Sequence, residues 1–441
     1  GRVDEDRFAA ALAAAAAETD TLRTRVTEVG GVPHQVVAAT GGGDLERRDL
    51  RGAADPEGAA LAWMRADMGT AVDPLGPRLH RFALLRVADG RYLWYQRFHH
   101  IIADAYAITT FTRRVAEVYT RLAEGGPVPG RRFGALADVI ADEAAYDASE
   151  RRAADRAHWA RVLADRPEPA LLGTAPPAPA RAAAAASAAV GADLLDRLTA
   201  LGAGARATWA EVVVAAFAAY VHRRTGAPDV VLGMPAMGRL GAPALRTPAM
   251  VVNILPLRLA VRPADRVGDL VARTTAALRD LRAHQRYRAE DIRRDLALVG
   301  RAAGLYGPVV NIKAFDYDLD FAGVRGATRT LSEGPVDDTS LSVYRDPEGG
   351  LRLELRGNAA RYTAAGLETR LAEFGRVLAG LAPAGADAAA DRRVGALDLV
   401  ADPAGRARSG PDRTPPTGSV GALIAAAAAA RPDAVAVRAG G

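Results

Sequence analysis

The residues with the most chemical potential in this chain stand together: Phe98 is followed by His99, His100, Ile101, Ile102, Ala103 and Asp104, so two of only seven histidines are adjacent and an aspartate follows. An imidazole changes charge near neutral pH, so a histidine here can act as a base. His100 and Asp104 are four apart, which suits two metal ligands on one helical face. No third ligand continues that spacing, and no metal is assigned. Two structural readings stand beside these: His100 as a satisfied histidine without chemistry, and Asp104 as the N-cap of a helix.

The flanking elements must position these side chains. Arg91 to Phe98 (RYLWYQRF) is short and aromatic and follows the turn Ala88-Asp89-Gly90, which predicts a strand. Leu79 to Val87 alternates apolar and polar residues and is expected to pair with it. Downstream, Ile108, Phe111, Val115, Val118 and Leu122 recur at the spacing of an amphipathic helix over 105–122. The histidines thus stand at a strand end and Asp104 at a helix start, a junction that in an α/β protein aims side chains into a crevice.

Before that junction the pattern predicts a helix around Phe8 and Leu12, a strand near Val26 running into Gly30-Gly31, and a helix from Gly58 to Met68. After it, a helical stretch runs through Val139 and Tyr146 to Trp159 and Leu163. Gly173 to Ala189, with Pro176, Pro177 and Pro179 among alanines, has no burying face and reads as a linker. It divides the chain into 1–175, a linker at 176–190, and 191–400. The second part carries helices at 194–201, 209–224, 267–282 and 367–381. Its strands are expected at 229–235, 250–259, 308–312 and 351–355. Residues 401–441 read as a linker and a short apolar segment, Val420 to Val437.

The length allows two or three domains. With 49% hydrophobic and 25% charged residues the composition is that of an ordinary globular chain. The alanine runs 13–17 and 425–430 are too short to span a bilayer, and no signal-peptide pattern opens the chain, so no membrane contact and a cytoplasmic location are expected. Having no cysteine, the chain has neither disulfides nor thiolate chemistry. The net charge of +5 is carried almost wholly by arginines spread along the sequence, Lys313 being the sole lysine, and no nucleic-acid binding is expected.

Several stretches together resemble the condensation domain of nonribosomal peptide synthetases, in the superfamily of chloramphenicol acetyltransferase. Its His-His-x-x-x-Asp-Gly motif is matched by His99, His100 and Asp104, with Ala105 in place of glycine. Glu18 to Val26 is similar to the family's His-Glu-x-Leu-Arg-Thr-x-Phe element, with Thr19 and Asp20 at its first two positions. Val231 to Arg239 (VLGMPAMGR), Met250 to Leu257 (MVVNILPL) and His284 to Tyr287 resemble further family elements. Tyr306 to Tyr317 and Gly334 to Asp338 look especially like the serine-incorporating module of a siderophore synthetase, and Pro415 to Val437 is similar to the opening of an adenylation domain. The family's first element, ahead of Phe8, is absent, so the chain reads as a piece of a longer synthetase.

The resemblance implies an α/β fold of two chloramphenicol acetyltransferase-like lobes forming a V-shaped pseudodimer, with a tunnel between them. It implies amide-bond formation between a donor thioester and the amine of an acceptor thioester. Both would be held on the phosphopantetheine of peptidyl carrier proteins, with no cofactor bound by the domain itself and an adenylation domain adjoining. His100 is then the catalytic group, as general base or as stabiliser of the tetrahedral intermediate. His99 orients the backbone, and Asp104 is a support paired with Arg239. Ala105, Tyr106, Asn253 and Asn311 are placed along the tunnel; each asparagine has a structural reading too, as a side chain satisfying a strand edge. Tyr106 has one as core. His34, His80, His158, His222 and His284 show no convergent pattern and are read as structural. The alternatives are an epimerisation domain, against which the adenylation-like start argues, and a catalytically silent docking domain.

Overall fold

The computed structural model describes residues 3–173, 183–239, 241–299, 304–313, 319–334, 336–346, 349–384, 389–401, 419–432 and 435. Ala314 to Tyr317, Pro335, the proline-rich part of the expected linker (174–182), and Asp433, Ala434 and Val437 of the adenylation-like stretch lie outside them. Residues 1–399 form one compact unit and residues 400–441 a second.

Helix α1 (Glu5–Ala17) starts at Asp4, whose carboxylate caps the N–H groups of Asp6 and Arg7. Strands β1 (Thr24–Val29) and β2 (Val32–Val37) make a hairpin through Gly30 and Gly31, both at positive φ. Next come β3 (Leu45–Asp49), α2 (Pro56–Met68), β4 (His80–Ala88), β5 (Arg91–Phe98) and α3 (Ala105–Ala123). The order β3-β4-β5 gives a three-stranded sheet in which β4 runs parallel to β3 and antiparallel to β5. Because strand side chains alternate, β4 feeds two cores. Phe82 and Leu84 pack with Phe8 and Leu12 of α1 and Phe111 and Val115 of α3. Ala83, Leu85 and Val87 pack with Ala60 and Met64 of α2. Helices α4 (Leu136–Asp147) and α5 (Glu150–Val162) follow, α5 capped by Ser149.

The expected linker is corrected at its end. Residues Ala183–Val190 form strand β6, the edge of a six-stranded sheet, pairing along its length with a later strand. Alanines hide the strand because they offer no β-branched signal. The backbone ladder, with Ala186 and Val190 buried, holds it instead. The division at 175 also shifts: Trp159 and Leu163, at the end of α5 and just beyond, sit in the core of the second half.

That half contains α6 (Ala192–Gly204), α7 (Trp209–Thr225), β7 (Asp229–Ala236), β8 (Asn253–Ala260), α8 (Val267–Ala283), α9 (Ala289–Asp295), β9 (Val309–Lys313), β10 (Leu319–Phe321), β11 (Val324–Gly326), β12 (Thr339–Arg345), β13 (Leu351–Asn358) and α10 (Ala364–Leu381). Its sheet has the order β6-β13-β12-β9-β7-β8, with parallel pairs only at β12/β9 and β9/β7. Helix α7 is apolar all round and buried from Glu211 to His222. It opens on a capping box between Thr208 and Glu211 and ends at Gly226, in the left-handed region at φ 78°. A Cβ on Gly233 of β7 would come within 2.6 Å of the Tyr306 ring, so the close approach of β9 depends on that glycine.

The short hairpin β10–β11 crosses back to the first half. Its Phe321 packs against Phe8, Trp94 and Tyr119, at ring-centroid distances of 5.9, 6.3 and 5.8 Å. Thr120 accepts a hydrogen bond from Ala322 N–H at 2.9 Å. In the second unit, α11 (Val420–Ala430) is capped by Ser419. No helix among the described residues is long and apolar enough to cross a membrane.

Candidate functional site

The histidine motif occupies the turn between β5 and α3. The N–H of His99 continues the β-ladder by donating to the Leu79 carbonyl at 2.6 Å, and its carbonyl accepts from Ile102 N–H at 3.1 Å, closing the turn. Its ring Nδ1 accepts from Ile101 N–H at 3.1 Å, so this imidazole is spent on backbone shape. Ile102 and Ala103 are buried and pin the turn to the first core. Between these anchors His100 is exposed. No hydrogen bond or ion pair engages its ring among the described residues, so both ring nitrogens are available to a reacting group.

Asp104 is 3% exposed, and its carboxylate is fully used. One oxygen caps α3 by accepting from Ala107 N–H at 2.9 Å. The other accepts from Arg239 Nη2 at 2.6 Å and from the N–H groups of Val251 and Val252 at 3.0 and 3.1 Å. The helix-cap reading and the arginine-pair reading are both realised by a single side chain. With these partners Asp104 has no oxygen left to orient His100.

Arg239 is completely buried. Besides Asp104 it serves the carbonyls of Ala244, Thr247 and Ala249 at 2.5, 3.1 and 2.6 Å, so its guanidinium organises the whole strap 243–252. Its planar fork suits such multiple acceptors. The Tyr106 ring lies 4.6 Å from the guanidinium carbon, and the Tyr106 hydroxyl donates to the Leu245 carbonyl at 3.0 Å. Tyr106 is thus tied to the strap. Gly238, at φ 61°, donates its N–H to Gln285 Oε1 at 3.0 Å, linking Arg239 to the segment after α8.

Asn253 requires a correction. It is 5% exposed, its amide donates to the carbonyls of Gln285 and Tyr287 at 3.0 and 2.8 Å, and its oxygen accepts from Ala289 N–H at 3.1 Å. With all these bonds made internally, it locks the 285–289 turn and has nothing to offer a substrate. Asn311 is half-buried in β9, in register with Ser342 of β12. Ala105 is exposed at the first position of α3, where its methyl group reaches solvent.

Sequence reasoning missed several partners. Glu18 is buried and accepts from Arg114 Nε and Arg132 N–H, both at 2.7 Å. Thr21 donates to the Pro248 carbonyl at 3.0 Å, a further tie from the first half to the strap beside those of Asp104 and Tyr106. Contrary to the expected absence of pattern, His158 and His284 do converge: their rings stack at 3.8 Å. Burial first, then the neighbouring His284, holds the His158 imidazole below its usual pKa. Asp155, buried, takes His284 Nδ1 at 2.7 Å and the Tyr146 hydroxyl at 2.8 Å. Burial and that carboxylate push the Tyr146 phenol up. The signal available in the sequence was Asp280 four residues before His284, at the end of a helix.

Comparison with known proteins places this geometry. A family model described as Condensation domain matches residues 1–391. An isonitrile lipopeptide synthase of Streptomyces coeruleorubidus is 44% identical over 399 residues, 90% of this chain and 27% of that protein. Enterobactin synthase component F of Escherichia coli (strain K12) is 37% identical over 372 residues, covering 82% of this chain and 28% of that protein. The chain therefore spans about a quarter of the length of these curated relatives. The first condensation domain of the calcium-dependent antibiotic synthetase, solved with a substrate analogue, superposes with a TM-score of 0.81 at 36% identity, covering 91% of this chain and 92% of that one. The starter condensation domain of rhizomide synthetase, solved with C8-CoA, gives a TM-score of 0.82 at 35% identity and covers 91% and 90% of the two chains.

Proposed function

This chain belongs to the condensation domain family of nonribosomal peptide synthetases, and from that premise we propose that it forms an amide bond between two carrier-bound thioesters. The acceptor's amine nitrogen attacks the donor's thioester carbon. A tetrahedral intermediate forms, the carbon–sulfur bond breaks, and the donor carrier's phosphopantetheine thiolate leaves. The proton lost by the amine is taken up by a base or delivered to that thiolate. No covalent bond to the protein is needed.

His100 is the catalytic residue in this reading, as acceptor of the amine proton and as a donor to the charge of the intermediate once protonated. His99, Asp104 and Arg239 are positioning residues that hold the turn and strap around it. Ala105, Tyr106 and Asn311 border the path of the substrates. Most of the acceleration is assigned to alignment of two tethered reactants, an effect worth up to about 7–11 kcal/mol. Donor and acceptor carrier proteins are the partners, and the segment beyond Pro415 leads into an adenylation domain.

The observation that carries the assignment is the exposed imidazole of His100, whose ring has no partner among the described residues, beside a His99 Nδ1 and an Asp104 carboxylate that are both committed to hydrogen bonds. The test is single-turnover amide formation with loaded donor and acceptor carriers. His100→Ala is expected to lower the rate about 10²- to 10⁴-fold, with the thermal unfolding midpoint unchanged. Equal rates from both proteins would remove His100 from the chemistry.

A further inference from the structure

Outside the motif, one cluster of side chains has the composition of a metal centre. Asp280 lies in the last turn of α8 and His284 is the residue that caps its C-terminus, and α5 brings His158 against them. The ligand atoms of the three residues lie within 4.8 Å of one another. His158 Nε2 is 3.6 Å from one Asp280 oxygen, and His284 Nε2 is 3.8 Å from the other.

We propose that His158, Asp280 and His284 bind a divalent transition-metal ion, zinc by preference, joining α5 to α8. Two imidazoles and a carboxylate are a common zinc donor set, with water in the fourth place. Ligand atoms about 2.1 Å from a tetrahedral ion are roughly 3.4 Å apart, so the nitrogen–oxygen spacings need to contract only by a few tenths of an ångström. The surrounding groups are arranged as such ligands require. Asp155 takes His284 Nδ1 at 2.7 Å, which puts the proton on Nδ1 and leaves Nε2 unprotonated, 3.8 Å from Asp280. Asp155 is itself fixed by the Tyr146 hydroxyl at 2.8 Å.

The site opens to solvent on its Asp280 side, where that side chain is 59% exposed, while His158 is 4% exposed. Two local changes accompany binding. The rings now stack with planes 12° apart, so they splay to bring one ion into both ring planes, and the exposed Asp280 follows them. Arg161 Nη2, 3.4 Å from His158 Nδ1, swings into solvent as that nitrogen takes the proton.

The test uses the full 441-residue chain without a polyhistidine tag, stripped with chelator and titrated with zinc by calorimetry. A parallel titration with cobalt(II) is read by visible absorption. One zinc per chain, an intense tetrahedral cobalt band and a zinc-dependent rise in thermal midpoint are expected. Asp280→Asn, at an exposed position that the fold does not need, should weaken binding by at least the roughly 10- to 100-fold that loss of an outer-shell partner brings and abolish the midpoint rise. His158→Gln should do the same. No stoichiometric zinc, a weak octahedral cobalt spectrum, or wild-type affinity in both variants overturns the site. None of these readouts depends on amide formation.

Discussion

Arg239→Met tests whether the buried ion pair is what holds the histidine turn against the strap. The variant keeps most of the side chain's volume but removes a guanidinium that is 0% exposed. Asp104 is left with N–H donors from Ala107, Val251 and Val252 only, and the carbonyls of Thr247 and Ala249 lose their donor while that of Ala244 keeps a backbone N–H. Breaking a buried pair from one side costs about 3–5 kcal/mol because a charge stays behind uncompensated. The backbone donors remaining on Asp104 reduce that figure and the orphaned carbonyls, each worth about 1–3 kcal/mol, restore it, so about 3–5 kcal/mol is expected. Asp104→Leu on the same background removes the stranded charge, so the double variant should cost at least about 2 kcal/mol less than the sum of the two single ones. Urea unfolding followed by tryptophan fluorescence reads both halves, since Trp63 and Trp94 report on the first and Trp159 and Trp209 on the second. A loss below about 1 kcal/mol for Arg239→Met, or strict additivity in the cycle, would refute the reasoning.

Ala105→Gly, at the exposed first residue of α3, should cost no more than about 1 kcal/mol of stability and leave the single-turnover rate unchanged; a large rate loss would make the methyl group part of the site. Asn253→Leu should lower stability by about 1–3 kcal/mol without a specific effect on the Michaelis constant for either carrier, and the reverse pattern would return Asn253 to the substrate path. His158 is held neutral by burial, so the folded state disfavours its charged form. Its stabilisation is complete above the ordinary histidine range and is lost as pH falls below about 6.5. Thermal midpoints in metal-free buffer should drop less between pH 7 and pH 5 in His158→Gln than in the parent, and identical pH profiles would count against it.

The sequence made the strands and helices around the motif legible where a period was strong. The strand expected over 79–87 and the three-and-four spacing of 105–122 correspond to β4 and α3, although β4 is buried on both faces over 82–85 where alternation was expected. It failed where backbone pairing, not side-chain pattern, decides. β6 is a run of alanines, β3 (LERRD) is nearly all charged, and β10 and β11 are three residues each, so none carries a readable period. The pairing of Asp104 with Arg239 was legible only through family resemblance, because nothing local to either residue announces a partner 135 positions away. The role of Asn253 was misjudged for a related reason. A polar residue in an apolar strand signals that it has a partner, and the identity of that partner, the 285–289 backbone, is set by tertiary structure. His158 and His284 were separated for the same cause.

The hairpin that carries Phe321 has a consequence for synthesis of the chain. The aromatic cluster of Phe8, Trp94 and Tyr119 is completed by a residue that leaves the ribosome roughly 200 residues after α3, a delay on the order of 10–40 s at about 5–20 residues per second. During that interval the first half lacks the side chain that packs against Phe8, Trp94 and Tyr119, and these rings keep an apolar face uncovered until β10–β11 has been made. Any attempt to produce residues 3–173 alone would leave the same face uncovered permanently.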